Sequence, residues 1–243
     1  MVAGVALLLL SGCGAESRPG GRDEIVVSAA ASLAEAFGEI EDEFERANPD
    51  VDVVLNTGGS SALREQILAG VAADVFASAN AANMDQVVSA GEVEGEPKLL
   101  ATNSLEIGVP TGNPAGVTGI SDFSRDDLFI GLCAVEVPCG SFAREALERA
   151  GVDPAIDTEE PDVRALLTKL EAGELDAGIV YATDVILSPM VDGIAIPAEF
   201  NVAADYLIAV LGRSRHPQLA EDFVEFALSD AGQAILAGFG FTR

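Results

Sequence analysis

The sequence has one histidine, no tryptophan and few positive charges: 13 lysine and arginine residues stand against 40 aspartates and glutamates, so the formal net charge of the 243-residue chain is −27. This balance excludes a nucleic-acid-binding protein, which needs a basic patch for the phosphate backbone. With His216 alone, a multi-histidine zinc site cannot be built, and any Ser-His or Cys-His catalytic pair would have to use that residue. Residues 213–217 around it predict an exposed loop leading into a helix with Pro217 at its first position, a poor place for a catalytic base.

The chain is nevertheless apolar, with 49% hydrophobic and 22% charged residues. This composition excludes a disordered acidic tail, because such tails lack the apolar surface that a folded core buries. The length suits one large domain or two domains of modest size.

The N-terminal region carries an apolar run over residues 2–10 that ends in Leu-Ser-Gly-Cys at Cys13. The run is too short to span a membrane and has the length of a signal-peptide core. Leu-Ser-Gly-Cys resembles the bacterial lipobox, in which the signal is cut before a cysteine that then carries lipid. We therefore expect a signal peptide over residues 1–12, a lipid-anchored linker over 13–23 and a protein held outside the cytoplasmic membrane by Cys13; the alternative is a buried hydrophobic strand.

Two further cysteines, Cys133 and Cys139, lie six residues apart. Disulfides persist outside the cytoplasm, and this pair can close a small loop if the turn brings the two Cβ atoms together. The alternative is a pair of free, buried thiols.

Short β-branched runs alternate with segments of helical periodicity, which predicts parallel sheets with helices on both faces. The predicted strands cover residues 24–28, 51–55, 74–78, 105–109, 128–132, 178–181 and 206–210. The predicted helices cover residues 33–44, 63–68, about 141–151, 162–173 and 217–228.

The stretch from Leu63 to Gly70 is similar to the stretch from Leu166 to Gly173, at an offset of 103 residues. Such a repeat indicates two similar α/β lobes. The strands at 105–109 and 206–210 bracket the second lobe, so we expect them to cross between the lobes.

Four predicted helix N-termini follow strand ends, where ligands gather in open α/β sheets. They begin at Ser32, in a predicted capping box with Glu35, at Ser60-Ser61, at Cys139-Gly140-Ser141 and at Asp162-Val163. Each offers unpaired N–H groups and the positive end of a helix dipole, which together suit an anion. Taken singly, each is also explained as an ordinary cap.

Seven short motifs follow one another along the chain: Ala-Ala-Ala-Ser-Leu at 29–33, Gly-Ser-Ser-Ala-Leu at 59–63, Ala-Ala-Asp-Val-Phe at 72–76, Val-Pro-Cys-Gly at 137–140, Asp-Val at 162–163, Ala-Gly-Ile-Val-Tyr at 177–181 and Gly-Phe-Gly-Phe-Thr at 238–242. Taken together, they resemble the periplasmic molybdate-binding proteins of ABC transporters over residues 24–243. The resemblance implies an α/β two-lobed clamshell of the type II periplasmic-binding-protein class, each lobe a mostly parallel sheet flanked by helices, with two crossover strands. Lobe I would comprise residues 24–104 and 207–243, and lobe II residues 105–206.

The same resemblance implies the ligand set. Ser32 and Ser60 would donate hydroxyl and N–H groups from lobe I; Cys139 and Val163 would donate N–H groups, and Tyr181 its phenol O–H, from lobe II. Cys139 stands where alanine is expected, but its role would be a main-chain one. The implied ligand is molybdate or tungstate, the implied partner an ABC permease, and the protein a monomer that needs no cofactor and has no direct metal ligands.

The chemistry of these donors fits a fully deprotonated dianion, which has only acceptor oxygens. No lysine or arginine falls in the motifs. A smaller sulfate would be held loosely, and a protonated phosphate would need an acceptor. None of the proposed donors changes charge between about pH 6 and 9, so we expect the affinity to be flat there.

Three other functions stay open. The first is a binding protein for another oxyanion such as sulfate. The second is an enzyme that uses the Cys139 thiolate at a helix N-terminus, although no base is evident for it. The third is the ligand-sensing module of a transcription regulator, which the lipobox at Cys13 disfavours.

Overall fold

The computed structural model describes residues 22–243, so the predicted signal peptide, Cys13 and most of the linker lie outside the described residues. The strands are β1 Asp23–Ala30, β2 Val51–Gly58, β3 Val75–Ser78, β4 Val93–Pro110, β5 Ile130–Cys133, β6 Thr158–Glu160, β7 Ala177–Tyr181, β8 Val191–Ala195 and β9 Ala203–Leu211. The helices are α1 Ala34–Ala47, α2 Ser60–Leu68, α3 Ala81–Ser89, α4 Pro138–Arg149, α5 Val163–Glu171, α6 Ala182–Leu187, α7 Pro217–Leu228 and α8 Asp230–Gly238, with short 3-10 turns at Ala31–Leu33 and Ile120–Ser124.

The strands form two groups joined by long crossover strands. In lobe I, β1 is parallel to both β2 and β3, and in lobe II, β5 is parallel to both β6 and β7. The 18-residue β4 pairs antiparallel with β9 on the lobe I side and with β7 and β8 on the lobe II side. β9 in turn pairs with β3. The predicted α/β clamshell with two crossover strands is confirmed.

The repeat seen in the sequence has a structural counterpart. Helices α2 and α5 are both nine residues long and begin 103 residues apart. Both are followed by a glycine in the left-handed region, Gly70 at φ 84° and Gly173 at φ 68°, which is the common way for a helix to end before a strand.

The core covers both faces of each sheet. Helix α1 buries Phe37, Ile40 and Phe44 at helical spacing. Phe44 packs edge-on against Phe223 of α7 at 5.3 Å between ring centroids, so the C-terminal helix returns to lobe I as predicted. Among residues 22–243, no helix is long and apolar enough to cross a membrane.

Several elements were not predicted. Strand β6 has only three residues, Thr-Glu-Glu, and β8 lacks an alternating apolar pattern. The first half of β4 contains Pro97, which lies where the pairing with β9 shifts register between Glu94 and Lys98; proline in a sheet is tolerated at such irregularities. Helices α3, α6 and α8 were also missed.

Candidate functional site

A small cavity lies where the carboxyl ends of strands from both lobes meet several helix N-termini. Its volume is about 20 Å³. All five residues of the predicted ligand set line it, from lobe I and lobe II alike: Ser32, Ser60, Cys139, Val163 and Tyr181. The remaining lining residues are Ala30, Ala31, Gly58, Gly59, Ala79, Val137, Pro138 and Asp162.

Helices α2 and α4 open onto the cavity without side-chain caps. Their N-cap residues, Gly59 and Val137, make no side-chain hydrogen bond to the first turn. Ser60 is the first residue of α2 and Cys139 the second residue of α4, and N–H groups at these positions have no partner within a helix. The helix ends therefore present main-chain donors to the cavity.

Helix α5 differs because its N-cap is a carboxylate. Asp162 Oδ1 accepts a hydrogen bond of 2.9 Å from the N–H of Ala165. The N–H of Val163, at the first position, has no intrahelical partner.

The predicted capping box of Ser32 and Glu35 is wrong. A 3-10 turn over Ala31–Leu33 precedes α1, so Ser32 lies inside this turn and not at the N-cap. Its Oγ lies 2.7 Å from Tyr206 Oη instead. Glu35 forms an ion pair of 2.6 Å with Arg164 of α5 in lobe II. The start of α4 was also misplaced, at Ser141 rather than Pro138.

Both serine hydroxyls are positioned to donate into the cavity. Ser60 Oγ accepts a 3.1 Å hydrogen bond from the N–H of Ala79, which leaves its own proton free. The hydroxyl of Ser32 is likewise free to donate to a ligand when it accepts its hydrogen bond from the hydroxyl of Tyr206. Burial raises the pKa of Tyr206 above its ordinary value, so this phenol stays protonated and able to donate.

Tyr181 is the most informative residue of the site. Its side chain is buried, yet its hydroxyl has no hydrogen-bond partner among the described residues. Burial, together with the neighbouring Tyr206 and Asp184, raises the pKa of Tyr181 well above 10, so the group is a neutral donor. A buried hydroxyl without a partner costs about 1–3 kcal/mol, and an acceptor in the cavity would remove that cost.

Asp184 is a functional candidate that the sequence analysis missed. It lies in the first turn of α6, is fully buried, and its Oδ2 accepts a 3.0 Å hydrogen bond from the N–H of Tyr181. Burial raises the pKa of Asp184 to about 7. The proposed donors do not titrate between pH 6 and 9, but this carboxyl behind them does. The sequence does carry a signal for this residue: Asp184 lies three residues after Tyr181 at the end of β7, which is the spacing of a capping box.

A disulfide joins Cys133 at the end of β5 to Cys139 in α4, with 5.8 Å between the Cα atoms. The bond closes the loop that brings Val137 and Pro138 to the cavity. The loop is tight: a Cβ at Gly140 would come 1.9 Å from the carbonyl oxygen of Ala134, so only glycine fits.

The cavity lining contains one acid, Asp162, and no lysine or arginine. Within residues 22–243, no cluster of three or more His, Cys, Asp or Glu side chains is placed to hold a metal ion. Neutral N–H and O–H donors are therefore the chemistry that this site offers.

The sequence profile described as bacterial extracellular solute-binding protein matches residues 25–242. The chain belongs to this family. The molybdate-binding protein ModA of Mycobacterium tuberculosis is 39% identical to this solute-binding protein over 224 residues, which cover 92% of the chain and 86% of ModA.

Two solved structures share the fold at 17% identity. The periplasmic molybdate-binding protein of Azotobacter vinelandii has a TM-score of 0.78 and covers 90% of this chain and 99% of its own. The sulfate-binding protein SubI of Mycobacterium tuberculosis has a TM-score of 0.79 and covers 90% of this chain and 86% of its own. Because the two scores are nearly equal, the fold of a solute-binding protein does not identify its anion.

Membership of the solute-binding family also decides between binding and catalysis. Its members are transporter components and not enzymes. In agreement with this, the sulfur of Cys139 is held in a disulfide and is not a free thiolate. The cavity is therefore a binding site.

Proposed function

We propose that this solute-binding protein captures molybdate, and tungstate with it, between lobe I (residues 24–104 and 207–243) and lobe II (residues 105–206). The ligand set is the one implied by the sequence: Ser32, Ser60, Cys139, Val163 and Tyr181. The observation that carries the proposal is the buried, unpartnered hydroxyl of Tyr181 in the lining of a cavity whose other polar groups, apart from the carboxylate of Asp162, are also donors. The 39% identity to the mycobacterial molybdate-binding protein supports it.

The donor set favours a fully deprotonated tetrahedral dianion. Such an ion has only acceptor oxygens, and each hydrogen bond to it contributes about 1.5–3 kcal/mol. Its charge is offset by the positive ends of α2, α4 and α5 rather than by a side-chain cation. A protonated phosphate would need an acceptor, and the five proposed ligand residues supply only donors; Asp162, which also lines the cavity, caps α5 through its Oδ1.

Binding is expected to close the clamshell. The donors are divided between two lobes, so only a closed form lets Ser32, Ser60 and Tyr181 reach one anion. A ligand shifts the population of conformations only through such differential contacts.

We further propose that the protein is a monomeric lipoprotein that delivers the anion to an ABC permease. The signal peptide over residues 1–12 would be removed, and the linker over 13–23 would begin at a lipidated Cys13. The Leu-Ser-Gly-Cys motif supports this proposal. Intact-mass analysis of detergent-extracted protein tests it: we expect diacylglycerol on Cys13 and no residues before it, and an unmodified N-terminus would contradict it.

Calorimetry on protein purified without added anions tests the ligand. We expect one molybdate per chain, tungstate of similar affinity, and sulfate weaker by roughly a hundred-fold because it is smaller than the donor frame. Sulfate binding as tight as molybdate would favour the sulfate alternative.

A matched pair of variants locates the site. Ser60→Ala removes a hydroxyl that faces the cavity and should weaken molybdate binding about ten- to a hundred-fold. Ser61→Ala is the control, because Ser61 is equally buried in the same turn of α2 but its side chain does not line the cavity. Equal affinities for the two variants would place the anion elsewhere.

A further inference from the structure

Gly59, the N-cap of α2, is not required by its backbone conformation. Its φ of −59° and ψ of 131° are accessible to any L-amino acid. What requires glycine is the space around it. A Cβ at this position would lie 2.7 Å from the carbonyl oxygen of Pro161, 3.2 Å from Val137 Cγ1 and 3.6 Å from Asp162 Cβ.

These three nearest neighbours all belong to lobe II, whereas Gly59 belongs to lobe I. A carbon and a carbonyl oxygen do not approach to 2.7 Å, so a side chain at this point would require one of the neighbours to move. Pro161 immediately precedes Asp162, which caps α5. Val137 lies in the loop closed by the Cys133–Cys139 disulfide. Neither is the free end of a flexible side chain, so the less costly response is for the lobes to stay further apart.

The anion donors flank this contact directly. Ser60 follows Gly59 in α2, Val163 follows Asp162 in α5, and Cys139 lies two residues after Val137. The distance between these donors is therefore tied to how closely lobe I approaches lobe II at Gly59. Hydrogen bonds weaken steeply when their distances lengthen by a few tenths of an ångström.

A second contact between helix N-termini of the two lobes does not fix a distance in this way. Glu35 and Arg164 pair across the cleft, but both side chains are more than a third exposed and carry rotatable bonds. They can follow a change in lobe separation, whereas the backbone contact at Gly59 cannot.

We propose that Gly59 is a specificity-determining residue: its lack of a side chain sets the separation of the lobes in the closed state, and thereby the size of the anion cavity. This inference rests on the proposed function, because it assumes an anion held by donors from both lobes.

The test compares Gly59→Ala with Gly38→Ala, a control in α1 where an added Cβ meets no atom within 4 Å. Molybdate affinity is measured by calorimetry at 25 °C, and sulfate affinity by competition with molybdate. For Gly59→Ala we expect molybdate affinity to fall at least about ten-fold and sulfate affinity to fall by a larger factor, since the smaller ion bridges a widened cavity less well. Gly38→Ala should bind both anions like the wild type.

The melting temperature of each ligand-free variant is the second readout. Replacing glycine by alanine at an N-cap lowers stability modestly, so a decrease of a few degrees is expected for Gly59→Ala. We expect the variant to stay folded at 25 °C, in which case lost stability does not account for lost affinity.

Two results would overturn the inference: molybdate affinity of Gly59→Ala within two-fold of the wild type, or equal losses for molybdate and sulfate. If the wild type itself binds neither anion, the proposed function falls as well. If the wild type binds molybdate and the variant binds it equally, only the role of Gly59 falls.

Discussion

Two of the helix N-termini at the cavity, those of α2 and α4, differ from the capped N-termini of α5 and of helices outside the cavity lining. Away from the cavity, Asn80 Oδ1 caps α3 by accepting from the N–H of Asn83 at 3.0 Å, and Ser229 Oγ caps α8 by accepting from the N–H of Gly232 at 3.3 Å. At the cavity, the N-caps of α2 and α4 are Gly59 and Val137, whose side chains make no capping hydrogen bond. Ordinary capping stabilises a helix by about 1 kcal/mol, so the cavity helices forgo this contribution and keep their donors for a solute.

Helix α7 shows that a missing side-chain cap alone does not define a site. Its N-cap, His216, makes no side-chain cap either, and α7 begins with a proline just as α4 does, but no residue of α7 lines the cavity. A missing side-chain cap therefore indicates a binding site only where the start of the helix also lines a cavity, as the starts of α2 and α4 do.

The largest expected effect comes from installing a cap at the cavity. Val137→Asp would place a carboxylate at the N-cap of α4, where it would both engage the free N–H groups and repel the dianion. Like charges in a desolvated site cost several kcal/mol, so molybdate binding should weaken by at least roughly a hundred-fold in calorimetry. Ser229→Asp puts the same charge at the N-cap of α8 and should leave the affinity unchanged. Retained binding by Val137→Asp would show that α4 does not face the anion.

The next largest effect concerns stability against pH. The folded-state pKa of Asp184, at the N-terminus of α6, is about 7, above its ordinary value of 3.8. The folded protein thus binds a proton that the unfolded chain releases, so stability should fall as pH rises from about 4 to about 7 and then level off. The total is on the order of 4 kcal/mol at most.

Urea unfolding at several pH values, with Asp184→Asn as the comparison, checks this prediction. The asparagine can still accept the hydrogen bond from the N–H of Tyr181 but does not titrate, so its profile should lack this fall. A dianion nearby favours the protonated carboxyl, so wild-type molybdate affinity should also decrease as pH rises through about 7. This expectation replaces the flat affinity between about pH 6 and 9 that the donors alone predicted. Parallel stability profiles for the two proteins would rule out this role for Asp184.

Tyr181→Phe is expected to separate binding from stability. Removing the phenol hydroxyl takes away one donor to the anion, which should weaken molybdate binding about ten- to a hundred-fold. The ligand-free protein should melt at the same or a higher temperature, because the unpartnered buried hydroxyl is gone. A clear loss of ligand-free stability would mean that the hydroxyl has a partner within the protein.

The smallest effect is expected at the ion pair between Glu35 and Arg164, which links the first turns of α1 and α5 across the cleft. Both side chains are partly exposed, so Arg164→Ala should cost at most about 1 kcal/mol, a few-fold in molybdate affinity, and less at high salt. Arg149→Ala breaks an i,i+4 pair with Glu145 within α4 and is the control. Identical affinities for both variants would mean that the cross-cleft pair does not assist closure.

Local patterns predicted much of the fold. Strands such as β1 and β2 carry β-branched runs, and α1 shows apolar residues at helical spacing. Both patterns can be recognised within a segment of about ten to fifteen residues. The short β6 and the bulged first half of β4 depend on neighbouring strands for their pairing, and no local pattern marks them. The assembly of both lobes around one cavity followed from the resemblance and is reproduced by the fold.

The contacts that define the site were less accessible. Ser32 and Tyr206 are 174 residues apart in the chain, and their hydroxyls meet only because β9 passes behind the 3-10 turn. Glu35 was predicted to form a capping box with Ser32 but pairs with Arg164 of the other lobe instead. Such contacts depend on how the two lobes meet, which sequence periodicity does not encode.

Helices α2 and α5 place equivalent positions of the 103-residue repeat in the lining of one cavity. Gly59 and Asp162 are equivalent positions of the repeat, and they are also neighbours across the cleft. In a homodimer, a residue that touches its own copy lies on the two-fold axis. A tetrahedral oxyanion has two-fold axes of its own, so it can lie on such an axis and offer two oxygens to each half. If both copies of the repeat carried aspartate at this position, two carboxylates would face each other and the anion. Because one copy carries glycine and the other aspartate, a single side chain lies where there is space for only one.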